Sequence, residues 1–165
     1  MNKQEKFVPR DYRTDADYLA LDAKFRASDN LEYTVLLGHV IVEDQLLALV
    51  AARLGADTMP GLRGFELISG LALAGTKPIK LREAASLLNT ARNEVGHKMS
   101  RTRLAPNVEK FVRMVKGKAG KTMKWPTDEP EQAAQLRLAI RFYVVEIAVA
   151  IDYETRLREA GAKAI

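Results

Sequence analysis

The segment Arg92-Asn93-Glu94-Val95-Gly96-His97 places a guanidinium, a carboxamide and an imidazole within six residues. These groups can hold a phosphate, orient a neighbouring group and move a proton near neutral pH. Together they suit cleavage of an RNA backbone through its own 2′-hydroxyl. That reaction uses a base on the hydroxyl and an acid on the leaving oxygen. The chain has only two histidines, His39 and His97. It has no cysteine, which removes disulfides, thiolate metal sites and a cysteine nucleophile together.

On a helix, Asn93 and His97 share a face one turn apart, whereas Arg92 and His97 diverge by roughly 140° around the axis and about 7.5 Å along it. One copy therefore makes a poor closed site. Two copies paired across a two-fold axis would supply two His97 and two Arg92. Gly96 costs about 1 kcal/mol in a helix interior, and its missing side chain would let a second helix or a phosphate approach. The same residues also admit structural roles. His97 suits a helix C-terminus, where the dipole favours a cation. Asn93 can satisfy a buried backbone group, and Arg92 can pair with an acid on another helix. His39 and Glu43, one turn apart, can support the same cavity, with Glu43 polarising His39 or pairing with Arg92, or they can form only an internal polar contact.

The elements that must carry these residues read as helices throughout. At 165 residues the chain is long enough for one domain with its own core. The apolar spacing predicts an N-terminal helical extension within 1–29, covering about Asp15 to Ala27, and a helical bundle over 30–160. Ser28-Asp29-Asn30 offers N-caps for a helix from Leu31 to Leu54, which Gly55 stops. Met59-Pro60-Gly61 is expected to open a shorter helix ending near Leu73. The motif helix spans about Lys80 to Ser100. Pro106 is expected to start a helix over Asn107 to Val115, followed by an unstructured stretch from Gly117 to Pro130. A final helix covers Glu131 to Ala160. The fold class is all-α, an up-and-down bundle of five to six helices. No exposed strand and no internal repeat is evident.

The charge is unevenly spread. From Lys98 to Lys124 nine basic residues stand against the single acid Glu109, a net of +8 in a chain of net charge +5. Lys98, Arg101, Arg103, Lys116, Lys118, Lys121 and Lys124 are candidates for contact with a nucleic acid, with a basic loop at about 116–128. The same run can equally be a solvated surface loop. Trp125 can stack on a base, though an anchor packing that loop to the bundle is the better fit. No metal site is expected, because no pair of ligand residues has the right spacing and a third partner. No cofactor motif is present. Gly117-Lys118-Ala119-Gly120-Lys121-Thr122 only faintly echoes a phosphate loop, and there is no Gly-x-Ser-x-Gly elbow. Met1 to Arg13 is polar. The longest apolar run, Phe142 to Ile151, is interrupted by Glu146 and is too short for a membrane span, so a cytoplasmic protein is expected.

Arg92-Asn93, three residues and His97, on the third core helix of a helical bundle, resembles the signature of the HEPN superfamily: Arg, four to six residues, then His, often with a polar residue after the Arg. The helix Leu37-Gly38-His39-Val40-Ile41-Val42-Glu43-Asp44-Gln45-Leu46-Leu47 is similar to the opening helix of HEPN-like proteins related to the mannitol operon repressor family. The resemblance covers roughly Asn30 to Arg101. It implies a metal-independent endoribonuclease in active members, with His97 as acid and base, Arg92 steadying the phosphate and Asn93 orienting groups in the site. A homodimer is expected, with RNA or an unidentified protein as candidate partners and no membrane contact. Inactive members act as regulators through protein or ligand contacts. Position 99 is Met where some toxin members carry Tyr, which weakens that subtype. Nothing resembles a helix-turn-helix reading head.

Overall fold

Asn30 fixes where the first described helix begins. Its side-chain Oδ1 accepts the Tyr33 backbone N–H at 2.9 Å, satisfying one orphan donor of the first turn, and the Thr34 hydroxyl donates to its carbonyl at 2.8 Å. The helix, α1, is Leu31–Leu54. It ends at Gly55 in the left-handed region (φ 68°), with Gly55 and Ala56 N–H groups donating to Ala52 and Ala51 carbonyls, a Schellman arrangement. The structure, a computed structural model, describes residues 30–56, 61–74, 80–97, 101–119 and 131–162, with Ala20 and Ala23. Those two are helical and exposed; the rest of the expected N-terminal extension lies outside the described residues.

Four further helices follow: α2 (Phe65–Leu73), α3 (Lys80–Gly96), α4 (Arg101–Ala119) and α5 (Gln132–Ala162). No strand occurs among the described residues. The fold is an all-α bundle. The four long helices form a ring, α1 to α3 to α4 to α5 and back to α1, and α2 packs across α1 and α3. Val42 and Leu46 of α1, Leu88 of α3, Phe111 of α4 and Ile140 and Tyr143 of α5 meet in one core. Phe111 and Tyr143 touch edge to face, with ring centroids 6.0 Å apart. Gly38 marks the close approach of α1 and α5: an added Cβ would overlap Ile140 Cδ1 and lie 3.2 Å from its Cγ1.

Three expected boundaries are corrected. The short helix starts at Phe65, not at Met59-Pro60-Gly61, because Gly61 and Gly64 take positive φ (87° and 94°) and hold the chain out of the helix. The helix after the motif does not begin at Pro106. It begins at Arg101, with Pro106 inside it. Leu104 is buried on the same stripe as Val108, Phe111 and Val115, and that packing outweighs the one backbone bond Pro106 cannot donate. The helix also runs on to Ala119, so Lys116 and Lys118 are helical residues and not part of a loop. A fourth correction concerns apolarity. α1 is long and apolar enough to cross a membrane by length and composition, and half of its most apolar window is buried inside the bundle. A search for unbroken apolar runs misses it, because Glu43 and Asp44 interrupt its middle.

Candidate active site

Helix α3 presents different residues to different neighbours. Ala84, Ala85, Leu88 and Ala91 are buried, and these mostly small side chains let the helix sit close to the core. Asn89 turns toward α1, where its Oδ1 lies 3.2 Å from His39 Nε2. Arg92, three residues on, is exposed. Its Nη1 donates to Asn93 Oδ1 at 3.2 Å. A Cβ at Gly96 would meet only Arg92 Nη1, at 3.8 Å, so the glycine leaves open space beside the guanidinium. His97 sits in the turn that ends α3 and is exposed. Its backbone N–H donates to the Asn93 carbonyl at 3.0 Å, which completes the last turn.

His39 is in a different environment. It is 7% exposed. Phe65 of α2 stacks on it with ring centroids 4.2 Å apart and planes tilted by 30°. Its Nδ1 faces Glu43 Oε2 at 3.9 Å, within ion-pair range but beyond hydrogen-bond length. Burial pushes the His39 imidazole below its usual range. The Asn89 hydrogen bond and the Glu43 carboxylate pull it back up, and the Arg92 guanidinium pushes it down further. The lowered value favours the uncharged imidazole, and since Asn89 Oδ1 can only accept, Nε2 is the donor in that contact.

The structure thus brings together His39, Glu43, Asn89, Arg92 and Asn93 along the α1–α3 edge. It places His97 past the end of the same helix. Asn89 and Phe65 escape the sequence reading. Asn89 lies one helical turn before Asn93 and so on its face, which is the signal that could have found it; Phe65 carries none.

No family model, curated protein or solved structure matches the chain.

Of the basic candidates, Arg103 and Lys116 are exposed on α4, as are Lys110 and Arg113. Arg113 pairs with Glu109 one turn away, an exposed pair worth little in stability. Lys118 is half-buried, and its charge acts on Glu146 of α5, whose carboxyl burial pushes upward. Arg101 is the first residue of α4. Lys98, Lys121, Lys124 and Trp125 lie outside the described residues. The basic residues that are described are therefore helical ones. Arg103 and Lys110 are seven residues apart, about 10.5 Å along the axis. Among the described residues no group of three or more His, Asp or Glu side chains is placed to hold a metal ion.

Proposed function

We propose that the chain is a HEPN-like protein that cleaves RNA without a metal, at a composite site built from two copies. The observation that carries this is the exposure, in one chain, of Arg92 near the end of α3 and of His97 in the turn that follows it. Both side chains are exposed, Asn93 is bonded to the Arg92 guanidinium, and Gly96 leaves space beside it. Transesterification through the 2′-hydroxyl needs a base and an acid around one phosphate. One exposed imidazole per chain supplies one of them. A second α3 related by a two-fold axis supplies the other, and the partner's guanidinium then stabilises charge on the phosphate. Arg103, Lys110 and Lys116 on α4 would guide the rest of the polyanion.

The test is RNA cleavage by purified protein in excess chelator, together with the mass in solution. Cleavage is expected to persist in EDTA, to vanish in His97→Ala, and to come from a dimer that His97→Ala leaves intact. Mixing Arg92→Ala and His97→Ala protomers asks how the site is shared. Activity returning in the mixture means that each residue acts mainly from one chain. A mixture that stays inactive means that both copies of both residues are needed. Cleavage by a species that sediments as a monomer sinks the composite site.

A second reading, a regulator without catalysis, is favoured by one observation. Tyr33, Leu36 and Val40 form a row on α1 and are exposed, Val40 by 53%. A row of that kind on an otherwise apolar helix suits contact with another protein. A chain that cleaves no RNA, and that loses a protein contact in Leu36→Glu with Val40→Glu, would favour this reading; RNA cleavage by the purified protein refutes it.

A further inference from the structure

We propose that the exposed apolar row of α1 is the seat of the chain's own segment 15–27, folded back on it as an antiparallel helix. The inference rests on neither functional reading. For the regulator reading it has one consequence: a protein partner must displace this segment to reach the row.

Tyr33, Leu36 and Val40 are 45%, 41% and 53% exposed, although α2, α3 and α5 pack against the other sides of α1. At i, i+3 and i+7 they lie within about 60° of one another around the axis. A contiguous apolar stripe of this kind is a contact waiting to be filled. In the sequence, Tyr18, Leu21 and Phe25 repeat the same i, i+3, i+7 spacing. Ser28-Asp29-Asn30 lies between the two triplets, a connection of the length that joins antiparallel helices. Asn30 is extended (φ −74°, ψ 122°) and caps α1, so the chain does not run straight through as one helix. Phe25, Leu21 and Tyr18 stand four, eight and eleven residues before Asp29, and Tyr33, Leu36 and Val40 stand four, seven and eleven after it. One hairpin register therefore puts Phe25 opposite Tyr33, Leu21 opposite Leu36 and Tyr18 opposite Val40. The same register brings Arg13 near the level of Asp44, the exposed residue of opposite charge that continues the row.

Two described residues decide which face of the segment turns inward. Ala20 and Ala23 are helical and exposed. On a helix they stand roughly 130° and 170° from the centre of the Tyr18, Leu21 and Phe25 stripe. Their exposure leaves that stripe, whose own residues lie outside the described ones, to face the bundle. A helix of about 13 residues is marginal alone in water. Seating three large apolar side chains on the row supplies the packing it needs and takes Tyr33, Leu36 and Val40 out of solvent.

The chain has no cysteine, so a designed pair reports a single contact. Leu21→Cys with Leu36→Cys, made in the full chain and oxidised mildly, is expected to run on a non-reducing denaturing gel as a cross-linked monomer. Oxidation traps the contact even where the substitutions loosen it. Ala23→Cys with Leu36→Cys stands at the same height on the wrong face and is expected to close about tenfold more slowly, because a disulfide needs its two Cβ atoms within about 4 Å. A covalent dimer overturns the proposal in favour of a second copy on the row. A first pair that stays reduced, or a second pair that closes as fast, also overturns it. Hydrogen exchange on the unaltered sequence gives a readout free of cysteine. Amides of 18–27 are expected to be protected, and Val40→Glu to abolish that protection without changing the protection of α1. Unprotected amides in the unaltered protein, or protection that survives Val40→Glu, overturns the proposal.

Discussion

Replacing Gly38 by Ala tests the seam that sets where His39 stands. The new Cβ would overlap Ile140 Cδ1 and press on its Cγ1 at 3.2 Å. Two terms oppose each other. Ala is favoured over Gly in a helix interior by about 1 kcal/mol, whereas overpacking a closed core costs typically about 1–3 kcal/mol. The atom in the way is the end of a flexible side chain, but Ile140 is fully buried and has little room to turn. The clash therefore wins, for a net loss of about 1 kcal/mol, or roughly 2–4 °C in a domain of this length. Ile140→Val removes the overlapping methyl and by itself costs about 0.5–1.5 kcal/mol. The double variant should then be more stable than the sum of the two singles predicts, by about 1 kcal/mol. Urea unfolding followed by circular dichroism measures all four proteins. Gly38→Ala that is stabilised by the full helix-propensity term, with effects that simply add, would refute the close approach of α1 and α5. Because His39 is the next residue, the same variant should also disturb the His39–Asn89 contact, visible as a change in the His39 ring resonances.

Other outcomes follow from the same contacts. His39 is held below its solution value of 6.5, so it contributes stability that is present above pH 6.5 and lost as pH falls through its folded value; His39→Gln should flatten that limb of a stability–pH curve. Glu146 has the opposite sign, since burial raises its carboxyl: its contribution is present at low pH and lost as pH rises through the folded value, so Glu146→Gln should stabilise the protein at pH 7 and lose that advantage in acid. Replacing Arg103, Lys110 and Lys116 together by Gln should weaken binding to a single-stranded polyanion and reduce the slope of log affinity against log salt by about 2, with no change in helix content; an unchanged slope removes α4 from the interface.

Much of the fold was legible because its signals are local. Asn30 and Gly55 bound α1 at both ends, and the apolar spacing of the final helix locates it to within a residue or two. The departures have physical causes that sequence spacing does not carry. Pro106 reads as a start signal, yet Leu104, upstream of it, has a place in the core that only the packed bundle reveals. The site divides in the same way. The divergence of Arg92 and His97 follows from helix geometry alone. The contact between His39 and Asn89 joins residues fifty positions apart, and nothing local marks Asn89 as its partner.

The two histidines occupy environments that suit opposite tasks. An imidazole that moves protons to a substrate must be reachable by it, and His97 is. An imidazole that reports on a charge must be shielded from solvent screening, and His39, stacked under Phe65, is. In one chain the guanidinium lies against Asn93 and the space beside Gly96, and its charge acts on His39. Its electrostatic partner is thus supplied within the chain, and on the proposed reading its chemical partner comes from the second copy. That separation predicts a particular failure in Arg92→Ala: loss of cleavage together with an easier protonation of His39. A residue that merely propped the helix end would produce the first without the second.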